Sequence, residues 1–314
     1  MRKKWMLQLA LPLLGLSAIF FLLAFAPGQS RSQPPLLEMS VVLRKADNAS
    51  STLRQGMEQA AADLNVELRF LMPSADNCAQ EQTQLLQRET ESGAEAILLI
   101  PTDRTALAEA VAAAAEKTAL VTLESDMTEQ GAIASVSVDH AALGRALGQA
   151  ALRGVPDGGT VLLLDSVPGD NGIRERMEAA AALLKEKGRM VRICQWTEAG
   201  WDERNPPPAE QADAVLAFEE AALEQAAEIE RNTQGFPLVY GAGSTSAIAA
   251  GLERGRITAI AAENVFSAGY LAVEAAAAAA RHEAVGKIPA ISFSMIRKES
   301  MYEEENQKLL FPVL

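Results

Sequence analysis

The stretch GGTVLLLDSVPGDNGIRERMEAAAALL, from Gly158 to Leu184, contains the pattern from which the fold follows. Its apolar run, Val161 to Leu164, predicts a buried strand, and the turn residues after Asp165 predict a long helix that begins near Gly172. The same order of strand, loop and helix occurs earlier, from Met39 to Leu64. A chain that begins this series twice predicts two α/β lobes with a crevice between them.

Strands and helices alternate along both halves of the chain. Because strands separated by helices of ten or more residues need crossover connections, the pattern predicts a doubly wound, parallel sheet in each lobe. The predicted strands lie near residues 39–43, 67–71, 97–100, 120–123, 134–138, 161–164, 190–194, 214–217, 238–240, 258–262 and 290–295. The predicted helices cover about residues 51–64, 79–92, 105–117, 141–153 and 268–281, with others that begin near residues 172, 221 and 246.

The order of these segments predicts that the chain passes between the lobes three times, near Asp139, Ala262 and Ser292. Each lobe is then built from two separate parts of the chain. The predicted division is residues 37–139 with 263–291 for the N-terminal lobe and residues 140–262 with 292–314 for the C-terminal lobe.

The amino-terminal segment predicts export. Basic residues 2–4 precede an uncharged stretch, Trp5 to Ala26, that is long enough to cross a bilayer, and their charge places the amino terminus in the cytoplasm. Small residues before Pro27 leave a cleaved signal as the alternative, although signal peptidases generally reject proline there. We expect residues 1–30 to be an uncleaved transmembrane helix and residues 31–36 a linker, with the rest of the chain outside the cytoplasm at the cell membrane.

Composition excludes several classes of function. The net charge is −13, and no Lys/Arg cluster occurs beyond the first residues, so no nucleic-acid partner is expected. The only cysteines are Cys78 and Cys194, one in each predicted lobe. They are either two unlinked thiols or a disulfide that would link the lobes covalently. With two histidines, no nucleotide fingerprint and no GxSxG motif, we expect no metal, no cofactor and no enzyme.

The whole pattern from about Leu37 to Val313 resembles the type 1 periplasmic binding protein family. It is most similar to the ribose-type sugar-binding branch, which is related to the effector domains of LacI-type repressors. A repressor is excluded because the chain has an export segment and no helix-turn-helix. The resemblance is carried by SVVLRKADNASSTLRQGMEQAAADL (residues 40–64), ILLIPTD (97–103), VTLESD (121–126), SVDHAALG (137–144), GDNGIRERMEA (169–179) and AVLAFEEAAL (214–223).

The resemblance implies a ligand site in the crevice. Arg174 is its strongest candidate, because a cation in the first turn of a helix opposes the macrodipole and suggests a partner in the crevice. A solvated arginine, or one paired to Asp170, is the alternative. All of the expected ligand-binding residues except Arg174 follow predicted strands or lie in loops. The full set is Asp47, Asn48, Glu124, Arg174, Trp201, Glu219 and Glu263.

Several of these positions have structural alternatives. Glu124 also suits a helix cap or an exposed turn, and Trp201 also suits the core. Asp139 is expected to cap the helix that follows it. The loop GAGSTS, Gly241 to Ser246, is expected to be a tight turn with a Ser or Thr cap rather than a phosphate loop, because no lysine follows.

The expected site is rich in acids, since Asp47, Glu124, Glu219 and Glu263 would converge around Arg174. Such a wall favours hydroxyl-rich or cationic ligands over phosphorylated or carboxylate ones. The function implied is an exported solute-binding protein that closes its two lobes on a small sugar-like ligand and delivers it to an ABC permease. A membrane-tethered sensor that signals to a histidine kinase is the alternative, and a ligand-free role stays open.

Overall fold

The computed structural model describes residues 35–44, 52–167, 169–196, 212–232 and 236–311. Residues from Leu36 onward form one compact unit. Within the described ranges, no helix has the length and apolar character needed to cross a bilayer. The predicted transmembrane helix, residues 1–30, and residues 31–34 of the predicted linker, 31–36, lie outside those ranges, so the anchor stays a prediction.

The first sheet has five parallel strands in the order β2-β1-β3-β4-β5. Its strands are β1 (Leu37–Val42), β2 (Val66–Leu71), β3 (Ala96–Leu99), β4 (Ala119–Leu123) and β5 (Ala134–Val136). The helices that connect them are α1 (Thr52–Leu64), α2 (Ala79–Glu91) and α3 (Ala108–Ala115).

The second sheet has six strands in the order β11-β10-β9-β8-β6-β7. Its strands are β6 (Thr160–Asp165), β7 (Met190–Gln195), β8 (Ala214–Ala217), β9 (Leu238–Ala242), β10 (Ala259–Glu263) and β11 (Phe293–Ile296). The remaining helices are α4 (His140–Ala151), α5 (Asn171–Glu186), α6 (Glu220–Asn232), α7 (Ser246–Glu253), α8 (Val265–Ala280) and α9 (Glu304–Leu310).

Helices cover both faces of each sheet, which is why the strands are continuous apolar runs. In β3, Leu98 packs in the cluster that includes α1 and α8, whereas Ile97 and Leu99 pack with α2 and α3 on the opposite face. In β6, Leu163 packs on the face covered by α4 and α5, whereas Leu162 packs on the face covered by α6 and α7. We call the first sheet with α1–α3 and α8 the first lobe, and the second sheet with α4–α7 and α9 the second lobe.

Each lobe contains one pair of closely packed helices, and glycine makes the close approach possible. In the first lobe, a Cβ on Gly56 of α1 would overlap the carbonyl oxygen of Phe266, at the start of α8. In the second lobe, a Cβ on Gly144 of α4 would overlap the carbonyl oxygen of Arg176 on α5. Backbones that meet this directly fix the position of the helix ends next to the crevice.

The two predicted α/β lobes are present, and one strand differs from the prediction. β11 pairs with β10 antiparallel, with Ile260 opposite Ile296 and Glu263 opposite Phe293. The reason is the route of the chain, because α8 belongs to the first lobe and the segment after it enters the second sheet from the crevice side. The rest of the second sheet is parallel, as the helical crossovers require.

Candidate functional site

A cavity of about 620 Å³ lies where the carboxyl ends of the strands meet, and residues of both lobes line it. This volume suits a small-molecule ligand, for which cavities of about 300–1,000 Å³ are typical. Six carboxylates and two guanidinium groups line the wall, so the charge is predominantly negative. The charged lining residues are Arg44, Glu124, Asp170, Arg176, Glu219, Glu220, Glu224 and Glu263.

Arg44 is the charged centre of the wall. It follows β1 in the first lobe, its side chain is 9% exposed, and its Nη2 lies 3.1 Å from Oε2 of Glu124. Its Nη1 donates to Oδ2 of Asp170, which belongs to the second lobe. Burial lowers the pKa of Arg44, but attraction from Glu124, Asp170 and Glu219 outweighs it and raises the pKa above its ordinary value. Arg44 is therefore a permanent cation that ties the two lobes together.

Glu124 reaches Arg44 through an unusual backbone conformation. Its φ is 65°, in the left-handed region that side chains other than glycine rarely adopt. The Ser125 N–H donates to the Leu123 carbonyl at 2.7 Å, so Glu124 is the centre of a tight three-residue turn directly after β4. Such strain costs about 1–3 kcal/mol and persists where the surroundings enforce it, which is common at binding sites.

Two of the carboxylates also cap helices that begin at the cavity. The Asp170 carboxylate accepts the Ile173 N–H of α5 at 2.9 Å, and the Glu219 carboxylate accepts the Ala222 N–H of α6 at 3.0 Å. A helix amino terminus is a natural anion site, because its first N–H groups are unpaired and its dipole is positive. At α5 and α6 the protein's own carboxylates already occupy that position.

Arg176 is the second buried cation, and three groups hold it. Its Nη1 lies 2.7 Å from Oε1 of Glu263, at the end of β10, and donates to the Phe218 carbonyl at 3.3 Å. Its Nε donates to Nδ1 of His140 at 3.0 Å. Nε2 of His140 in turn lies 2.6 Å from the Glu124 carbonyl oxygen. This chain of contacts runs from the second lobe through His140 to the first lobe.

A further polar corner lies where α6 and α7 begin. Glu220 accepts the Ser244 N–H at 3.2 Å, and Glu224, one turn along α6, accepts from the Thr245 hydroxyl. Thr245 also caps α7 by accepting the Ile248 N–H at 3.2 Å. The corner therefore offers carboxylate oxygens to a ligand hydroxyl or amine.

Three of the sequence-predicted residues, Glu124, Glu219 and Glu263, line the same cavity. Arg174 does not line it. That arginine is exposed on α5 and bonds to Asn171, so the prediction that it projects into the crevice is corrected. Asp47, Asn48 and Trp201 lie outside the described residues, and their proposed roles stay predictions.

Sequence reasoning missed Arg44, His140, Asp170 and Arg176 as site residues. The signal for Arg176 was helical periodicity. On α5 the buried residues include Ile173, Met177, Ala180 and Leu184, and position 176 adjoins Ile173 and Ala180 in this stripe. Position 174 lies at the edge of the stripe, about 160° around the helix from position 176. His140 lines the cavity as the first residue of α4, directly after the cap residue Asp139.

The structure also decides the structural alternatives. Asp139 caps α4 by accepting the Ala142 N–H at 2.7 Å, and Thr245 caps α7, so both cap predictions are confirmed. Cys78 and Cys194 are free thiols. Among the described residues, no group of three or more His, Cys, Asp or Glu is placed to hold a metal ion.

With this geometry in view, the chain can be compared with known proteins. The family model of the periplasmic binding protein domain matches residues 40–284, and the chain therefore belongs to that family. This confirms the resemblance seen in the sequence and places the chain among binding proteins rather than enzymes. None of the curated proteins compared with the chain matches it significantly.

Solved structures share the fold at low sequence identity. A carbohydrate transporter solute-binding protein from Agrobacterium radiobacter, in complex with D-arabinose, has 17% identity and a TM-score of 0.79, over 88% of this chain and 99% of that chain. An ABC transporter solute-binding protein from Agrobacterium vitis, bound to alpha-D-tagatopyranose, has 17% identity and a TM-score of 0.77, over 87% and 99%. The XylFII-LytSN complex has 16% identity and a TM-score of 0.75, over 85% and 99%.

Proposed function

We propose that this protein is a solute-binding protein whose two lobes close on a small, hydroxyl-rich ligand of the sugar or polyol class. The observation that carries the proposal is the cavity at the strand ends, in which each lobe contributes buried charged groups: Arg44 from the first and Arg176 from the second. Hinge motion at the three crossings would open and close this cavity.

The chemistry of the wall favours hydroxyl groups. A hydroxyl both donates and accepts hydrogen bonds, so it matches a wall that contains carboxylate acceptors and guanidinium donors. An anionic ligand is disfavoured, because six carboxylates face two arginines and both arginines already have carboxylate partners. The capping carboxylates of Asp170 and Glu219 also occupy the anion positions at the starts of α5 and α6.

Similar structures support a sugar as the ligand class, since they contain D-arabinose, alpha-D-tagatopyranose and D-fucose as bound ligands. An aromatic face that can pack against sugar C–H groups is available at Phe311, which lines the cavity, whereas the Phe218 ring is buried in the core. Phe311 is 42% exposed, so its ring is open to a ligand at the rim.

Delivery of the ligand to an ABC permease is the role that we propose first, because several similar structures are described as ABC transporter solute-binding proteins. The second candidate is a membrane-tethered sensor that signals to a partner such as a histidine kinase. The likeness to the XylFII-LytSN complex and the predicted uncleaved anchor favour it. Both roles place the domain outside the cytoplasm. Genes for a permease and an ATPase beside this one would support uptake, whereas a kinase and a response regulator would support sensing.

The test is thermal unfolding of the full-length protein against a panel of neutral sugars, polyols, amino sugars and sugar acids. A ligand at about 100 times its dissociation constant adds about 2.7 kcal/mol to the free energy of unfolding. We expect a neutral or amino sugar to raise the melting temperature and the corresponding sugar acid to have a smaller effect. No shift with any member of the panel would contradict the proposal.

Two arginines on the same helix provide a matched pair of variants for the ligand found. Arg176→Met removes a buried cation from the cavity wall, whereas Arg174→Met removes an exposed one two residues away. We expect Arg176→Met to weaken binding at least about tenfold, which corresponds to about 1.4 kcal/mol, and Arg174→Met to leave it unchanged. The opposite order would place the ligand elsewhere.

A further inference from the structure

His140 joins the two lobes through both of its ring nitrogens. Nε2 lies 2.6 Å from the carbonyl oxygen of Glu124, in the turn after β4 of the first lobe. Nδ1 accepts the Nε–H of Arg176, on α5 of the second lobe, at 3.0 Å. The ring rests on Gly172, where an added Cβ would lie 2.7 Å from its Cε1 atom. The imidazole therefore has fixed neighbours on two nitrogens and one face.

These neighbours allow only one protonation state. A carbonyl oxygen only accepts a hydrogen bond, so Nε2 must carry a hydrogen. A guanidinium N–H only donates, so Nδ1 must be without one. Protonation would add an N–H at Nδ1 that points at the N–H of Arg176, and would place two cations next to each other. Either Arg176 or the imidazole must then move.

We propose that His140 is a positioning residue, which holds Arg176 in the cavity wall and links the lobes only while its imidazole is neutral. Acidification then releases Arg176 from His140 and loosens the contact between the lobes. The inference concerns the cavity of the proposed function, but its geometry is independent of any ligand.

The charged groups around His140 come from every element packed against it. Glu124 follows β4, Arg176 and the cap Asp170 belong to α5, Glu263 ends β10, and Asp139 precedes α4. The carboxylates would attract an imidazolium through space, but each already has a partner of its own. Glu124 and Asp170 bind Arg44, Glu263 binds Arg176, and Asp139 accepts the Ala142 N–H. By contrast, the N–H that protonation would add at Nδ1 would point directly at the Nε–H of Arg176.

The first test reads the tautomer. The chain has only two histidines, so long-range ¹H–¹⁵N spectra of the full-length protein contain two imidazole patterns, which the exposed-site variant His282→Asn assigns. At about pH 7.5 we expect His140 to show the neutral pattern with the hydrogen on Nε2. A hydrogen on Nδ1, or a charged ring at that pH, would overturn the proposal. This experiment uses the unmodified residue, so it does not depend on a variant that folds.

The second test reads the distance between the lobes. Cys78 precedes α2 in the first lobe and Cys194 lies on β7 in the second, and both are partly exposed free thiols. Spin labels on these native cysteines report the inter-lobe distance by pulsed electron paramagnetic resonance. Burial raises the pKa of the Cys194 thiol, so labelling should be done at mildly alkaline pH. We expect the distance distribution at about pH 7.5 to differ from that at a lower pH at which the first test shows a charged His140.

The variant His140→Gln supplies the decisive comparison, because its amide offers a donor and an acceptor but does not titrate. We expect its distance distribution to be the same at both pH values, whereas the control His282→Asn keeps the response of the wild type. A pH response that survives in His140→Gln, or is absent from the wild type, would refute the role of His140. Neither test uses a ligand, so failure of the ligand panel and failure of this inference are separate results.

Discussion

Gly144 on α4 and Arg176 on α5 meet at the backbone: a Cβ on Gly144 would overlap the carbonyl oxygen of Arg176. The contact lies one helical turn after His140, whose ring accepts from the side chain of the same arginine. Arg176 is therefore held in the cavity wall both by its side chain and by its backbone. The backbone contact is possible only because residue 144 has no side chain.

The first prediction tests this packing. Overpacking costs about 1–3 kcal/mol, whereas alanine in a helix is favoured over glycine by about 1 kcal/mol. For Gly144→Ala we expect the packing cost to exceed the helix gain, since the nearest atoms are backbone, and the urea midpoint to fall. The control is Gly148→Ala in the same helix, where the nearest atom is the flexible Leu183 side chain at 3.3 Å. Equal midpoints for the two variants would contradict this interpretation.

The second prediction concerns the buried ion pairs of Arg44. Arg44→Met leaves the nearly buried carboxylate of Asp170 without its cation, and such losses cost about 3–5 kcal/mol. We expect a loss of that order in the free energy of urea unfolding. Lys308→Met is the control, because its ion pair with Glu304 is exposed and screened by solvent, so its loss should leave the free energy of unfolding nearly unchanged. A loss below about 1 kcal/mol for Arg44→Met would show that the pair does not stabilise the native state.

The third prediction is a pH dependence at Asp165, the last residue of β6. Burial raises the pKa of this carboxyl above its ordinary value, so the folded state disfavours the charged form. The resulting cost is present above the folded-state pKa and disappears as the pH falls below the pKa of the unfolded chain. Asp165→Asn should therefore raise the urea midpoint at about pH 7 and leave it unchanged at about pH 3.

The control for Asp165 is Glu178→Gln, which removes one exposed carboxylate from α5. It separates the local effect of burial from the general effect of a lower net negative charge. A gain for Asp165→Asn that is equally large at both pH values would exclude ionisation as the cause.

The fourth prediction concerns the cap of α4. The Asp139 carboxylate accepts the Ala142 N–H at 2.7 Å, and loss of such a cap costs about 0.5–2 kcal/mol. Asp139→Ala should destabilise the protein by about 1 kcal/mol in thermal unfolding, whereas Asp139→Asn should retain nearly all of the stability. If the two variants were equally destabilised, the lost charge rather than the cap would be responsible.

The fold was predictable from the sequence because its signals are local. Apolar runs such as residues 97–100 and 161–164 are too short for helices and are flanked by turn residues, and the helices between them require parallel crossovers. The antiparallel direction of β11 was not predictable in this way. It follows from α8 returning to the first lobe, and no pattern within residues 290–295 records that route.

The site was predictable only in part. Glu124, Glu219 and Glu263, which line the cavity, were candidates because each lies at or within two residues of the end of a strand, which is a property of sequence position. The choice between Arg174 and Arg176 needed the orientation of the helix, which the apolar residues of α5 supply but the resemblance to relatives does not. Arg44 and Asp170 were missed because their importance lies in a contact between residues 126 positions apart.

The pairing of α1 with α8 has a consequence for synthesis of the protein. The first lobe is only partly built when its sheet has left the ribosome, because Ala272, Val273 and Ala276 of α8 belong to its core. Domains generally fold as units during synthesis, beginning from the amino terminus. Here the amino-terminal lobe must wait for residues near 280, after nearly all of the second sheet has emerged. The nascent first lobe thus exposes an apolar sheet face from the completion of β5 until α8 has emerged, and this interval is when we expect it to need a chaperone.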